Sequence, residues 1–395
     1  MENNRTKFYR HIAQTSPFPL GYEINEAKGI YLYTNEDFKF IDLISGIGVS
    51  NIGHCHPKIV EAVQSQVEKY MHLMVYGEFI QTPQVKLAEA LVKTLPENLN
   101  SIFFVNSGTE ATEGAMKLAK RVTGRTEFIA AKKAYHGATH GALSLQSEEE
   151  FAQPFRPLLS GVNFIEYDQI EDLSLITSKT AAVILETVQG EAGVRVSSEG
   201  YLKAVKARCE EVGALLILDE IQTGFGRTGT FWGFEQYDVV PDIILMAKGM
   251  GGGMPLGAFA ASKELTTHFT VDPILGHITT FGGHPVNCAA SLACVDVLET
   301  ENLVQDVKTK SDLFKKYLKH PAIKEVRGAG LMLAAQFDSF EILKKVIDKT
   351  LENGVLTDWF LFCDDTMRIA PPLIITPEQI EESCEIILKS IDQVL

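Results

Sequence analysis

The sequence lacks the features of several common protein classes. Its longest uncharged stretch, Pro273–Val295, contains glycines, histidines and a proline, so it would span a bilayer badly. Its six cysteines form no CxxC pair, which favours free thiols in a reducing compartment. Lys and Arg number only 36 against 51 Asp and Glu, and the net charge of −15 disfavours nucleic acid or acidic membrane as a partner. Met1–Gln14 has no apolar centre typical of a signal peptide. We therefore expect a cytoplasmic protein.

Motifs for nucleotide and metal chemistry are also missing. The sequence has no GxxxxGK[ST] and no Gly-Lys dipeptide, no GxGxxG at its first strand–helix unit, and no HExxH. His54 and His56 lie two residues apart, but no fitting third ligand is evident. The sequence therefore predicts no P-loop, no dinucleotide fold and no metal site.

What is present is typical of a large globular α/β protein. The 395 residues are 45% apolar and 22% charged, which suggests two or three domains. Short apolar runs alternate with amphipathic stretches such as Gly200–Val212, a pattern that predicts a mostly parallel sheet between layers of helices. The predicted strands are Ser101–Val105, Glu127–Ala130, Ala181–Leu185, Ala214–Leu218 and Asp242–Met246.

The pattern changes after Pro285 and predicts a smaller α+β unit. Helices are expected at Asn287–Leu298, Asp306–Leu318, Ile342–Asn353 and Pro377–Leu395, and strands at Ile323–Gly328 and Leu331–Phe337. We therefore expect an N-terminal segment over 1–50 that packs with the small domain, a large domain over 51–285, and the small domain over 286–395.

Polar residues follow three of the predicted buried strands, where open α/β sheets bind their ligands. Ser107-Gly108-Thr109 lies between a strand and a helix, which suits a phosphate but also suits an ordinary helix cap. Asp219 directly follows the apolar run Ala214–Leu218 and is either well paired or functional. Lys248 follows Ile243–Ala247, so it either extends to solvent or has the lowered pKa that Schiff-base chemistry requires. Together, these three junctions are the parts of a pyridoxal phosphate site.

With these motifs the chain resembles the class III (ω-amino acid) aminotransferases of fold type I, above all the acetylornithine and ornithine aminotransferases. The resemblance extends from Gly29-Ile30-Tyr31-Leu32 to Met367-Arg368-Ile369-Ala370-Pro371-Pro372. Its most specific parts are Asn106-Ser107-Gly108-Thr109-Glu110-Ala111, Asp219-Glu220-Ile221-Gln222-Thr223-Gly224 with Gly226-Arg227-Thr228-Gly229, and Ala247-Lys248.

This resemblance implies a role for each matching residue toward pyridoxal 5'-phosphate. Lys248 would bond covalently to the cofactor and carry the reacting proton. Asp219 would keep the pyridine nitrogen protonated, and Gln222 would contact the ring hydroxyl.

The remaining cofactor contacts are likewise implied by the resemblance. Ser107, Gly108 and Thr109 would hold the phosphate. In Tyr135-His136-Gly137 the tyrosine would stack on the ring and His136 would belong to the cofactor site. Thr280 would reach the phosphate of the neighbouring subunit, which implies a homodimer with shared sites. The plainer alternatives are a core position for Tyr135 and a turn for Thr280.

Two charged residues, and one position at which this chain differs from the family, concern substrate binding. In related enzymes the counterparts of Glu191 and Arg368 form a switchable pair, in which the arginine takes the α-carboxylate of 2-oxoglutarate; the alternative is a permanent salt bridge. Ala138 stands where these enzymes usually carry a carboxylate-binding arginine. Either His140 or Lys132 replaces that arginine, or the donor lacks a carboxylate there, as a diamine does.

The sequence therefore predicts transfer of the terminal amino group of N-acetylornithine or ornithine to 2-oxoglutarate. A diamine or another ω-amino acid is the alternative donor. A mutase or racemase on the same fold would need no acceptor, and a catalytically silent binding protein would not need Lys248, Asp219 and Gln222 together.

Overall fold

The computed structural model describes residues 3–36 and 38–395. Its strands are β1 (Ile24–Lys28), β2 (Tyr31–Thr34), β3 (Lys39–Asp42), β4 (Ser101–Val105), β5 (Glu127–Ala131), β6 (Val162–Ile165), β7 (Thr180–Glu186), β8 (Leu215–Asp219), β9 (Ile243–Met246), β10 (Gly257–Ala261), β11 (Glu325–Ala329), β12 (Met332–Gln336), β13 (Val355–Leu356), β14 (Trp359–Phe360) and β15 (Cys363–Ile369).

The helices lie between these strands and at both ends of the described chain. They are α1 (Asn4–His11), α2 (Ser45–Gly48), α3 (Pro57–Val67), α4 (Thr82–Lys93), α5 (Gly108–Thr123), α6 (His140–Leu143), α7 (Glu149–Ala152), α8 (Tyr201–Val212), α9 (Lys263–Thr267), α10 (Pro285–Thr300), α11 (Leu303–Tyr317), α12 (Phe340–Glu352) and α13 (Pro377–Val394). Single 3₁₀ turns lie at Gln153–Phe155, Glu171–Leu175, Gly233–Tyr237 and Lys248–Gly251.

A central sheet carries the middle of the chain. Within the described residues it has seven strands in the order β4-β10-β9-β8-β7-β5-β6, and β10 alone runs against the others. Side chains of β7 alternate between two hydrophobic clusters, with Val183 and Leu185 in one and Ala182 and Ile184 in the other. Both faces of the sheet are therefore buried, as a parallel sheet requires. Because β4, β5, β7, β8 and β9 run in the same direction, their carboxyl ends meet at one edge of the sheet.

Two smaller sheets flank this core. One has the order β11-β12-β15-β14, and the other has the order β1-β2-β3-β13. Strand β3 pairs with β13 in parallel, Ile41 opposite Val355, so the N-terminal segment shares a sheet with a strand near the C-terminus. The domain limits at 50 and 285 stay a prediction.

The strands and helices predicted in the middle and C-terminal parts of the chain are confirmed to within a few residues. The α/β class with a mostly parallel sheet is confirmed as well. The prediction omitted β10, which is Gly257-Ala258-Phe259-Ala260-Ala261. All five residues of this strand are buried, as are those of β9 beside it, so its composition carries no sign of its reversed direction.

Across residues 3–36 and 38–395, no helix is both long and apolar enough to cross a membrane. All six cysteines are free thiols.

Candidate active site

A cavity of about 520 Å³ opens at the carboxyl ends of the central strands. It gathers residues that are far apart in the sequence, as the crossover connections of a parallel sheet bring its strand ends together. The predicted site residues that line it are Ser107, Gly108, Thr109, Tyr135, His136, Glu191, Asp219, Gln222 and Lys248. Arg368 lies behind Glu191, whereas Thr280 is exposed on the surface and does not line the cavity.

The turn between β4 and α5 forms one wall. Ser107 is the N-cap of α5 and its hydroxyl accepts a hydrogen bond from the Glu110 N–H at 3.3 Å. Its role toward a phosphate stays a prediction. The N–H groups of Gly108 and Thr109 have no acceptor among the described residues. They lie at the positive end of a 16-residue helix, which is the arrangement that binds a phosphate.

Asp219 ends β8 and its carboxylate is held on both oxygens. Oδ1 accepts from the Ile221 N–H at 2.9 Å, and Oδ2 lies 2.7 Å from Nδ1 of the buried His136. A carboxylate only accepts, so Nδ1 carries the proton of this bond. Burial by itself lowers the pKa of His136, but the hydrogen bond and charge of Asp219 outweigh burial and raise it. Asp219 is therefore held in one orientation by two hydrogen bonds, and its carboxylate suits a protonated ring nitrogen.

Lys248 follows β9 on a strained turn. Its φ of 46° is in the left-handed region, which costs a residue with a side chain about 1 kcal/mol or more. A Cβ on the next residue, Gly249, would lie 2.6 Å from the Asn51 amide nitrogen, so the turn has no room for a side chain at this position. Among the described residues, the Lys248 amine has no hydrogen-bond or ion-pair partner. Burial lowers its pKa, which favours the neutral and nucleophilic amine.

Glu191 and Arg368 form a buried bidentate ion pair. Arg368 Nη1 donates to Glu191 Oε1 at 3.0 Å and Nη2 donates to Oε2 at 2.9 Å. Burial alone raises the pKa of Glu191, yet the charge of Arg368 outweighs it and the pKa is lowered. A third group, Asp358, accepts from Arg368 Nε at 2.9 Å. The paired geometry is the one expected for a masked carboxylate-binding arginine and equally for a permanent bridge.

Glu186 is a cavity residue that the sequence analysis missed. It ends β7 beside Asp219 in register, is 6% exposed, and accepts from the backbone N–H groups of Tyr135 at 3.0 Å and Gly190 at 2.8 Å. Burial, with the nearby charge of Asp219, raises its pKa to about 7, although His136 opposes the shift. The signal was available, because Glu186 follows Ala181–Leu185 as Asp219 follows its own strand.

Neither predicted replacement for the missing arginine faces the cavity. Ala138 lines it, but the Lys132 ammonium binds Glu166 at 2.5 Å on the surface. His140 lines a separate surface pocket with Glu113. In the cavity lining, Lys248 is the one lysine or arginine among the described residues, against three carboxylates.

These residues fit pyridoxal phosphate. The free N–H groups at the start of α5 match its phosphate, the anchored Asp219 matches its ring nitrogen, and the unpartnered Lys248 amine matches its aldehyde. A Cβ added to Gly190 would come 3.0 Å from the Gln222 amide oxygen. The glycine at this position therefore leaves room for the Gln222 side chain, which lines the cavity. No group of His, Cys, Asp and Glu side chains in the described part of the chain is arranged to hold a metal ion.

Comparisons with known proteins agree with this fit. A family model described as aminotransferase class-III matches residues 12–391. The acetylornithine aminotransferase of Methanopyrus kandleri is 41% identical, covering 94% of this chain and 94% of that protein. The acetylornithine aminotransferase of Archaeoglobus fulgidus is 40% identical, covering 92% and 94%.

Solved structures agree as well. The ornithine aminotransferase from Toxoplasma gondii matches with a TM-score of 0.91 at 29% identity, covering 98% of this chain and 94% of that chain. A thermostable (S)-enantioselective omega-transaminase from Thermomicrobium roseum matches with a TM-score of 0.91 at 28% identity, covering 99% and 98%. A further structure of the Toxoplasma gondii enzyme holds pyridoxal phosphate at partial occupancy in its active site. The family model spans nearly the whole chain, and the chain therefore belongs to the class-III aminotransferases, fold type I enzymes that depend on pyridoxal phosphate.

Proposed function

We propose that this enzyme moves the terminal amino group of N-acetylornithine or ornithine to 2-oxoglutarate, which gives the semialdehyde and glutamate. The observation that carries the proposal is the Glu191–Arg368 pair at the wall of the cavity that holds Lys248. The relatives named acetylornithine aminotransferase support the donor.

Each cavity residue then has a role. Bound pyridoxal phosphate supplies an electron-withdrawing ring. Lys248 anchors that ring and moves the proton at the carbon that bears the amine. Asp219 keeps the ring nitrogen protonated, helped by His136 behind it, and Gln222 binds the ring hydroxyl.

The phosphate and the ring face have their own contacts in this proposal. The N–H groups of Gly108 and Thr109 bind the phosphate, with the hydroxyls of Ser107 and Thr109 beside them. Tyr135 stacks on the ring, and Glu186 fixes its backbone N–H.

Glu191 and Arg368 let one cavity serve two substrates. Glu191 masks the guanidinium while the ω-amino donor is bound, and Arg368 binds the α-carboxylate of 2-oxoglutarate or glutamate once Glu191 has moved. Both side chains are almost fully buried, so an uncompensated charge would be costly, and one carboxylate replaces another in this exchange.

One observation favours a second class of donor. Ala138 and the acidic lining leave no cationic group at the far end of the donor within this chain's own cavity residues. A diamine such as putrescine, which has no carboxylate, would fit that lining.

We also propose that the enzyme is a homodimer. Residues 71–85 and 271–281 carry exposed apolar side chains, among them Ile80 at 95% and Ile274 at 76% exposure. Parts of both segments, including Val75 and Ile274, line a second surface cavity. Thr280 lies on this surface, where it would reach a neighbouring phosphate. Light scattering on Ile80→Asp, which should weaken the dimer, tests the assignment. The cytoplasmic location stays a prediction.

The donor is tested by mixing the holoenzyme with one amine at a time and following the visible absorbance of the cofactor. The panel is N-acetylornithine, ornithine, lysine, 4-aminobutyrate and putrescine. Fastest conversion by N-acetylornithine or ornithine supports the proposal, and fastest conversion by putrescine supports the second donor class. Lys248→Ala is the control, since it should abolish turnover; normal turnover of that variant would refute the assignment of Lys248.

A further inference from the structure

Arg368 is bound by two carboxylates that belong to different parts of the molecule. Glu191 lies in the loop after β7, at the edge of the central sheet. Asp358 lies just before β14, in the small sheet that also holds Arg368 on β15. The Arg368 N–H donates to the Asp358 carbonyl oxygen at 2.9 Å, so backbone and side chain both join these two residues.

The two carboxylates occupy different edges of the guanidinium. Asp358 takes Nε at 2.9 Å, whereas Glu191 takes the Nη1–Nη2 edge at 3.0 and 2.9 Å. The guanidinium also lies over the Phe360 ring, 4.6 Å from its centroid. Rotation of the Glu191 side chain would therefore break the contacts at the Nη1–Nη2 edge and the hydrogen bond that Glu191 Oε2 accepts from the Leu361 N–H at 3.1 Å, but it would leave the contact at Nε in place.

We propose that Asp358 is a positioning residue, which holds Arg368 still so that its Nη1–Nη2 edge faces the cavity when Glu191 leaves. The proposal rests on the proposed function, in which Arg368 binds the α-carboxylate of the acceptor. A guanidinium can bind a carboxylate with two parallel hydrogen bonds only if its plane is already oriented. Phe360 limits tilting of that plane, and Asp358 limits rotation within it.

This role predicts different effects on the reactions of the two substrates. The donor is bound while Glu191 still pairs with Arg368, so Asp358 is not needed to orient the guanidinium at that stage. The acceptor binds when Asp358 is the remaining charged partner. Loss of Asp358 should therefore weaken acceptor binding and leave the donor reaction unchanged, whereas a merely structural role would affect both.

The test uses the holoenzyme and three variants. Asp358→Ala removes the acceptor of the Nε hydrogen bond. Asp358→Asn keeps a side-chain oxygen at the same reach. Asp364→Ala is the matched control, because Asp364 is an exposed carboxylate on the same hairpin with no contact to Arg368. Should the Ala variant fail to fold, Asp358→Ser, whose hydroxyl is too short to reach Nε, replaces it.

Two measurements separate the outcomes. In single turnovers, Asp358→Ala should raise the KM for 2-oxoglutarate about tenfold, the effect of one lost charged hydrogen bond, with the donor reaction within about twofold of wild type. Calorimetry should show glutarate, an unreactive dicarboxylate, binding about tenfold more weakly to this variant. Asp358→Asn should recover most of both losses, and Asp364→Ala should change neither.

Equal losses in both half-reactions, or unchanged glutarate binding, would overturn the role of Asp358. Arg368→Ala distinguishes this failure from failure of the proposed function. If Arg368→Ala destroys acceptor binding while Asp358→Ala does not, only the positioning role is wrong. If Arg368→Ala leaves acceptor binding intact, both proposals are wrong.

Discussion

Two arginines are buried among the residues that the structure describes, and their electrostatic surroundings are opposite. Arg227 is fully buried and its guanidinium donates to neutral oxygens: the carbonyls of Leu331 and Pro371 and the side-chain oxygen of Asn51. Arg368 is 3% exposed and donates to two carboxylates. One cation is held by dipoles and the other by opposite charges.

The difference appears in their pKa values. Burial lowers the pKa of Arg227 to about 9, with only the more distant Asp42 opposing it. Burial also acts on Arg368, but the charges of Glu191 and Asp358 outweigh it and raise the pKa. Dipoles from three separate segments cannot be exchanged without separating those segments, whereas a carboxylate side chain can be replaced by a substrate carboxylate. Arg227 is therefore suited to joining parts of the fold, and Arg368 to binding.

The largest expected effect comes from removing the exchangeable arginine. Arg368→Ala should lower kcat/KM for 2-oxoglutarate roughly a thousandfold, the usual cost of losing one partner of a buried charge pair. The donor reaction should stay within about threefold of wild type. Stopped-flow single turnovers measure both. Arg368→Lys should recover little, since an ammonium lacks the bidentate fork; an equal loss in both half-reactions would contradict the comparison.

Removing the other arginine should act on stability instead. Arg227→Met leaves three buried oxygens without their donor, which should reduce the free energy of unfolding by about 3 kcal/mol. Denaturant unfolding measures the loss, and any change in activity should fall equally on both half-reactions. Arg156→Met, at an exposed ion pair with Glu149, is the control and should cost less than about 0.5 kcal/mol. A selective loss of the acceptor reaction in Arg227→Met would show that the two arginines are not distinct in function.

Glu186 is the acidic counterpart of Arg227, because backbone N–H dipoles hold its charge. Its pKa in the folded protein, about 7, lies above the ordinary 4.5, so folding takes up a proton between these values. The stability of the cofactor-free protein should therefore decrease as pH rises from about 4.5 to 7, by about 2 kcal/mol relative to Glu186→Gln. Thermal unfolding of both proteins at pH 5 and pH 7.5 measures the difference. Parallel pH profiles would show that dipoles alone keep this carboxylate ionised.

The smallest expected effect comes from removing the charge of Glu191, which pairs with Arg368. Glu191→Gln keeps the shape of the side chain but removes its charge, so the guanidinium should be freer to bind α-carboxylates. Preference for glutamate over the ω-amino donor should rise about tenfold, measured as the ratio of kcat/KM values in single half-reactions. An unchanged ratio would favour a permanent bridge and a different site for the acceptor.

Much of the central fold could be predicted because its signals are local. The runs Ser101–Val105 and Ala181–Leu185 are short, apolar and flanked by amphipathic stretches, and each forms a strand of the central sheet, the first half-buried and the second fully buried. The small N-terminal sheet could not be predicted in this way, since β3 pairs with a two-residue strand some 300 residues away. Such pairing leaves no periodicity in either segment.

The cavity residues also differ in whether a local sequence pattern indicates them. A polar residue directly after a buried strand is a local pattern, and this pattern indicates Asp219, Lys248 and also Glu186. Asp358 and Arg227 have no local signal, because their importance lies in partners far along the chain. Glu191 and Arg368 entered through the family resemblance, and their contact spans 177 positions.

The α/β class, the strand ends that carry polar residues, and the family to which these motifs belong can all be inferred from the amino-acid sequence. Those properties depend on residues that are neighbours in the chain. The folded structure is needed to see which carboxylates surround Arg368, which oxygens surround Arg227, and that Lys132 and His140 face away from the cavity. The reason is physical: a buried charge is set by whatever the packed elements bring within hydrogen-bond reach, and that set is formed only when distant segments meet.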